Sequence, residues 1–487
     1  MRSLLTLLTP LGMLLASVSV ALAAEQPNII FMLSDDQAWN GLSVPMHPQV
    51  PASRSSSIDT PHLARLSAEG MRFSAAYAPA PVCSPTRISL QTGKSPAKLH
   101  WTKAAPPVTG RRLLEPTNSR NIADAETTIG ELLRTAGYAT AHFGKWHIGG
   151  GGPGRHGYDV HDGDTGNEMA FEFTDPNPVD IFGMAERAAA FMASSQQAGK
   201  PFYIQLSWNA LHASQNALAT TLAKYQQRLA GENDKRVSVA AISEDLDTGV
   251  GRVLAAVDRL GLRETTYVVF MSDNGGNGGK RGPLRGGKGG LWEGGIRVPL
   301  IIRGPGITAG SWCHVPTVGS DLLPTFCGWA GLPPAKLPPG IEGGSLIATI
   351  ASGGTAAVSR PKAELYFHFP HYQNEEGPQS AVISQGMKLI GFYDDRRVEL
   401  YDLREDLAET NDLAQSRGSE AAILKQKLEA YLTEVAAQLP QPNPDYDPNR
   451  PVPNRPRKGG KRDGGAAMQK GGKKLLKRNN KTEGRPE

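Results

Sequence analysis

Two stretches of the chain share one pattern. In "PNIIFMLSDD" an apolar run from Ile29 to Leu33 stops on two aspartates, and in "TYVVFMSDNGG" a run from Tyr267 to Met271 stops on Asp273 and Asn274. An unbroken apolar run bounded by polar or glycine signals suits a strand buried on both faces of a parallel sheet, although a buried helical segment shows the same lack of alternation. Between the two lie helix-period segments such as "TTIGELLRTAGY" and "ISEDLDTGVGRVLAAVDRLGL", each leading toward another apolar run, "ATAHF" and "YVVFM". Helix followed by strand predicts an α/β fold with a large, doubly wound, mostly parallel sheet flanked by helices. In such sheets ligands bind beyond the carboxyl ends of the strands, which is where both acidic pairs fall.

From about residue 360 the pattern shortens to alternating runs, "ELYFHF", "SAVISQ", "MKLIGFY" and "RVELYDL", which predict a small antiparallel sheet. The helix-period segment "SEAAILKQKLEAYLTEVAAQL" follows, and the chain leaves it at Pro440. The expected organisation is therefore a signal peptide over 1–24, a catalytic α/β domain over 25–358, a smaller C-terminal α+β subdomain over 359–440 and a disordered basic tail over 441–487. The signal peptide is read from Arg2, a short run of Leu, Val, Ala and Met broken at Pro10, and the small residues around Ala21 and Ala23; the competing reading is an uncleaved anchor. No later segment is long and apolar enough to span a bilayer.

The formal charge of +5 conceals an asymmetry. Between 455 and 487 twelve basic residues stand against three acids, so the tail carries +9 and the rest of the chain −4. An acidic body with a basic tail is a different object from a basic protein, and no nucleic-acid partner is expected. The signal peptide predicts an exported protein, periplasmic or secreted, with no stable membrane insertion once the signal is removed.

Asp35, Asp36, Asp273 and Asn274 offer only hard oxygens, which suit Ca2+ or Mg2+ and not zinc; alternatively they are turn residues at strand ends. Three carboxylates around a divalent cation leave the site net negative, so an anionic substrate needs further positive charge, for which Arg87, Lys145 and Lys288 are candidates. Lys145 and His147 lie between glycines, which favours a loop over an exposed strand. Lys288 sits in a glycine-rich run, but Gly289 follows it where a phosphate-binding loop needs Ser or Thr. Cys83 in "PVCSPTR" is either a buried structural cysteine or the start of a C-x-P-x-R motif. Cys313 and Cys327 fall on an expected strand and an expected helix, an arrangement that does not favour a disulfide. His368, Pro370 and His371 in "FHFPHY" either line the sugar side of a pocket or belong to the C-terminal sheet.

The stretch from Pro81 to Pro96, "PVCSPTRISLQTGKSP", resembles the signature of the type I sulfatases. "GKWHIGG" (144–150), "SDNGG" (272–276), "PLRGGKGGLWEGGIRVP" (283–299) and the pair Asp35-Asp36 match further motifs of that family, in its order, over about 27–305. The resemblance implies an alkaline-phosphatase-like fold and hydrolysis of sulfate monoesters, with sulfated carbohydrate as the expected substrate. It implies one Ca2+ per chain, Mg2+ being the second choice, held by Asp35, Asp36, Asp273, Asn274 and the residue at 83. Cys83 would be oxidised to formylglycine by a formylglycine-generating enzyme during maturation, and Arg87, Lys145, His147, His212 and Lys288 would complete the catalytic set. One departure stands at "WNALHASQN": the family often has a proline two residues after the matched histidine His212, and this chain has Ser214. The alternatives are a phosphomonoester or phosphonate hydrolase of the same superfamily, or a non-catalytic polyanion-binding protein held by its tail.

Overall fold

The apolar runs that end on the acidic pairs form the strands Asn28–Ser34 and Thr266–Ser272, which pair in parallel with Ser34 opposite Ser272. The computed structural model describes residues 26–277, 282–374 and 376–449, so the expected signal peptide and the basic residues from 455 onward lie outside the described residues. These two strands are at the middle of an eight-stranded sheet. Its spatial order is Ser311–Cys313, Met71–Phe73, Leu300–Arg303, Thr266–Ser272, Asn28–Ser34, Phe202–Ser207, Ala139–Gly144 and Val160–His161. Leu300–Arg303 alone runs against the others.

Strand alternation sorts the core into two layers. Ile30, Met32, Val268 and Phe270 pack against the helices Ile181–Gln197 and Asp234–Arg259, while Ile29, Phe31, Val269 and Met271 face Cys83–Thr92, Ile129–Thr135 and Leu322–Trp329. Helices on both faces of a mostly parallel sheet are the doubly wound arrangement expected from the sequence. Cys313 ends the edge strand Ser311–Cys313 and Cys327 lies in the helix Leu322–Trp329; both are buried free thiols.

The alternating runs after 360 form a meander of four antiparallel strands, Leu365–Phe369, Gln379–Ser384, Met387–Phe392 and Val398–Asp402. Phe367, Ala381 and Ile390 pack toward Tyr77, Leu291 and Trp292 of the larger sheet region, while Val382, Leu389 and Leu400 bury the helix Gly418–Glu434 through Leu424 and Leu428. Among the described residues no helix is long and apolar enough to cross a membrane. One boundary differs from expectation. Structure does not stop at Pro440: Gln441–Pro442 pairs with Leu113–Leu114, and Asn443 donates to the carbonyls of Arg112 at 3.0 Å and Arg111 at 2.8 Å. Composition missed this because the segment is held by backbone pairing and buries almost nothing.

Candidate active site

Neighbouring strands end in register, and this assembles the site. Ser34 lies beside Ser272, and Ser207 beside both Leu33 and Gly144, so Asp35, Asp273 and Lys145 emerge together at the carboxyl edge of the sheet. The Ser272 hydroxyl accepts from the Gln37 amide and donates to the Asn274 carbonyl, both at 2.9 Å, tying the two acidic turns together. Asp35 donates its N–H to Ala210 and accepts from Leu211, at 2.8 and 2.6 Å, which brings the loop carrying His212 over the same edge. The helix Cys83–Thr92, buried along its whole length, begins at Cys83; Arg87, one turn later, lies on the same face.

Arg87 donates to Asp273 Oδ2 through Nε at 3.1 Å and through an Nη at 2.8 Å, to Asp35 Oδ2 at 3.4 Å and to the Lys145 carbonyl at 2.6 Å. Lys145 pairs with Asp35 Oδ2, and Lys288 with Asp36 Oδ1 at 2.6 Å. Asn274 donates to that same Asp36 oxygen at 2.7 Å. Each of these groups thus has one atom engaged and another left bare: Asp35 Oδ1, Asp36 Oδ2 and Asn274 Oδ1 are buried with no hydrogen-bond partner. Ligand atoms of Asp35, Cys83 and Asp273 also lie within 4.8 Å of one another. Unpartnered buried oxygens are costly in a dry site, and hard oxygen donors converging in this way fit a Ca2+ ion.

The charges lead to the same conclusion. Burial and the neighbouring Asp35 push Asp273 up to about 6 against the pull of Arg87 and Lys145, as befits a carboxylate short of positive charge. Burial alone would raise Asp35, but Lys145 and Arg87 hold it well below the usual carboxylate range. Burial lifts the Cys83 thiol above its ordinary value despite Lys145 and Lys288, so the cysteine is held as a neutral thiol rather than a thiolate. His147 is pushed down to about 2 and His212 is also lowered, chiefly by burial, with Lys145 acting in the same direction on both.

Lys288 reaches Asp36 because glycines allow its loop to approach the acidic turn. Gly275 donates to the Gly295 carbonyl at 2.9 Å, and a Cβ on Gly275 would lie 1.9 Å from the Gly294 oxygen. The Lys288 N–H bonds Gly276, and that of Gly289 bonds Pro81, fixing the lysine between the acidic turn and the start of the Cys83 helix.

All ten residues singled out in the sequence therefore lie at this edge of the sheet. His368 and His371 do not. His368 bonds Ser380 and the Gln438 carbonyl inside the C-terminal sheet region, and His371 is buried between Thr102 and Glu115. Of the two readings of "FHFPHY", membership of the C-terminal sheet holds for His368; His371 lies beyond the end of that strand, buried against the catalytic domain, and Pro370 is buried between them. The sequence did not point to Thr165 or Asn374. Thr165 accepts the amides of Trp146 and His147 and donates to Gly144, ordering the Lys145–His147 loop; Asn374 donates to Gly289 behind Lys288. Neither belongs to a motif, and only the folded loops bring them into place.

The sulfatase family model matches residues 27–332, and a model described as N-sulphoglucosamine sulphohydrolase, C-terminal, matches 287–438. The chain belongs to the sulfatase family. It is 28% identical to human arylsulfatase A over 411 residues, 75% of each chain. It is 32% identical to N-acetylgalactosamine-6-sulfatase of Rattus norvegicus over 396 residues, 72% of this chain and 70% of that one. Among solved structures, Ps i-CgsB superposes with a TM-score of 0.70 at 22% identity, over 84% of this chain and 93% of that one. A protein solved with its substrate D-glucosamine-2-N,6-O-disulfate gives 0.64 at 21%, over 85% and 98%. These two structures bear on the fold, which is the sulfatases' alkaline-phosphatase-like one. The sulfatase is accordingly a sulfuric ester hydrolase.

Proposed function

We propose that this sulfatase is an exported hydrolase of sulfated carbohydrates, with residue 83 as nucleophile after oxidation of its thiol to formylglycine by a maturation enzyme, and with Ca2+ held by Asp35, Asp36, Asp273, Asn274 and residue 83. The observation that carries the reading is the buried edge where Cys83 heads its helix beside bare carboxylate and amide oxygens and three cationic side chains. A neutral buried thiol is a poor nucleophile, which favours its conversion. Sulfated sugars are favoured because a relative is named N-acetylgalactosamine-6-sulfatase and a fold neighbour was solved with a disulfated glucosamine.

Bound Ca2+ would supply fixed positive charge against the nucleophile and the sulfuryl oxygens. The remaining work falls to the chain. Arg87 has nearly all its donors committed to Asp273, Asp35 and the Lys145 carbonyl, so its main task is to position the two carboxylates. Lys145 and Lys288 offset the acids and meet the charge of an incoming sulfate. Hydrated formylglycine carries two hydroxyls: one attacks sulfur and the other drives release of the sulfate as the aldehyde re-forms. His212 protonates the departing alcohol, and the negative charge of the ester raises its affinity for that proton. His147, held neutral, takes the proton of the second hydroxyl.

Cys83→Ser tests this division of labour. Serine has one hydroxyl, so the variant should give at most one turnover of an aryl sulfate and retain covalent sulfate at position 83. Steady turnover by the serine variant would contradict the reading, and faster hydrolysis of the matched phosphate by the wild type would move the substrate to phosphate esters.

A further inference from the structure

The helix Cys83–Thr92 is buried at every position, yet Ile88 and Leu90 are its only large apolar residues, so apolar packing gives it little purchase. Cys83, Arg87 and Gln91 follow one another at four-residue spacing on one face. Arg87 bonds Asp273, Asp35 and the Lys145 carbonyl, which all belong to loops just beyond the strand ends and are themselves parts of the site. Gln91 reaches the sheet itself. Its Nε2 donates at 2.8 Å to Oε1 of Gln205, in the strand Phe202–Ser207. Among the described residues this is the only side-chain hydrogen bond that joins the helix to a strand of the eight-stranded sheet.

Further polar groups hold that bond in place. Tyr158 Oη lies 3.0 Å from Gln91 Oε1 and 3.1 Å from Gln205 Oε1, and Tyr203 donates to Gln205 Oε1 at 3.0 Å. Gln205 Nε2 donates at 3.1 Å to Ser207 Oγ, which lies 3.3 Å from His142 Nε2. Tyr203, Gln205 and Ser207 alternate onto one face of their strand, and His142 stands opposite Gln205 on the next. Burial raises both phenols, so each keeps the proton it donates, and it pushes His142 down to about 3, so the network stays neutral. Phe31, Leu133 and Trp146 share this layer, and apolar residues at 91 and 205 would suit their company. Apolar contacts are non-directional, however, and would set neither the rotation nor the height of the helix, whereas satisfied hydrogen bonds do. The strand so gripped ends at Ser207, whose carbonyl accepts the Lys145 amide at 2.7 Å. One network therefore registers the helix of residue 83 against the loop of Lys145.

We infer that Gln91 and Gln205 are positioning residues, whose bond holds residue 83 and Arg87 at a fixed height against Asp35, Asp273 and Lys145. The inference rests on the reading of residue 83 as nucleophile, since a helix carrying no reacting group would need no such registration.

The test uses Gln91→Met and Gln205→Met, which nearly keep the volume and remove the bond, together with the double variant. Thr325→Val is the control, because it deletes a buried hydrogen bond in the helix Leu322–Trp329, outside the site. Hydrolysis of an aryl sulfate is measured per folded molecule and per aldehyde at position 83, counted by peptide mass, with thermal melting as the measure of stability. Each Met variant should lose about tenfold in kcat, less than the roughly hundredfold that a 1 Å misplacement costs. KM should stay within about twofold, as for an interaction that matters in the transition state, and Thr325→Val should lose stability alone. Because both glutamines act through one bond, the double variant should lose no more kcat than the worse single one. Should Gln91→Met not fold, Tyr158→Phe removes only a hydroxyl from Gln91 and should lower kcat about threefold through a smaller displacement. Unchanged kcat with lowered melting temperature would assign the network to stability and overturn the inference, as would additive losses in the double variant. An intact thiol in active wild type would instead defeat the nucleophile reading, while the kcat ratios per folded molecule would still decide whether the network positions the site.

Discussion

Asp36 and His147 adopt left-handed backbone conformations, with φ of 61° and 60°. Non-glycine residues rarely do so without compensation, and both stand where chemistry is proposed. Asp36 has one oxygen on Lys288 and Asn274 and the other bare, which leaves that oxygen available to the proposed cation. Asp36→Asn keeps a residue that tolerates this backbone and removes only the charge. Calcium affinity, measured by titration of the metal-free protein, should fall by about an order of magnitude or more, and sulfatase activity should fall with it. Unchanged affinity would remove Asp36 from the metal site. At this scale the acidic pairs were legible because an apolar run ending on hard oxygens is a local pattern. The partner of each oxygen was not, because it depends on residues more than fifty positions away.

Within the C-terminal sheet, the strand Leu365–Phe369 buries His368, whose ring nitrogens are used by Ser380 and the Gln438 carbonyl. Burial lowers its pKa from 6.5 to about 4, and burial likewise lowers that of nearby His371. A histidine depressed in the folded state binds fewer protons there than in the unfolded chain, so its contribution is present above 6.5 and is lost as pH falls toward 4. For His368 the loss across that window is about 3 kcal/mol. His368→Gln retains hydrogen-bonding groups without this titration, so its stability in urea should decline less than the wild type's over the same range. Parallel declines would show that His368 does not govern the acid response. The four strands themselves were visible in the sequence because one residue in two is apolar. The helix Cys83–Thr92 was not, because polar residues and Pro85 dominate it and every position is buried, leaving no exposed face to create a period.

Across the whole molecule, a buried ion cluster joins the catalytic region to the C-terminal sheet. Lys388 on the strand Met387–Phe392 lies 2.8 Å from both Glu293 and Glu409, and Glu293 also accepts from Arg297 at 2.5 Å and Tyr77 at 3.1 Å. Glu293 closes the glycine-rich segment that carries Lys288, so the smaller sheet braces the active-site loop. Glu293 would keep Arg297, but Lys388→Met would leave the buried Glu409 carboxylate without a cationic partner and facing Glu293, at a cost of about 3–5 kcal/mol. Glu409 already sits at about 7 through burial and Glu293, so protonation relieves it; the variant should be less destabilised at low pH than at high pH. Equal melting temperatures for variant and wild type at every pH would contradict this role. None of these pairings has a sequence signal, whereas the order of the motifs, and with it the sulfatase fold, does. The claim on which the function rests is the chemistry at position 83, and peptide mass analysis of that position in enzyme shown to turn over a sulfate ester tests it most directly. The account predicts the aldehyde at Cys83 in proportion to the active fraction. An intact thiol in fully active enzyme would contradict it.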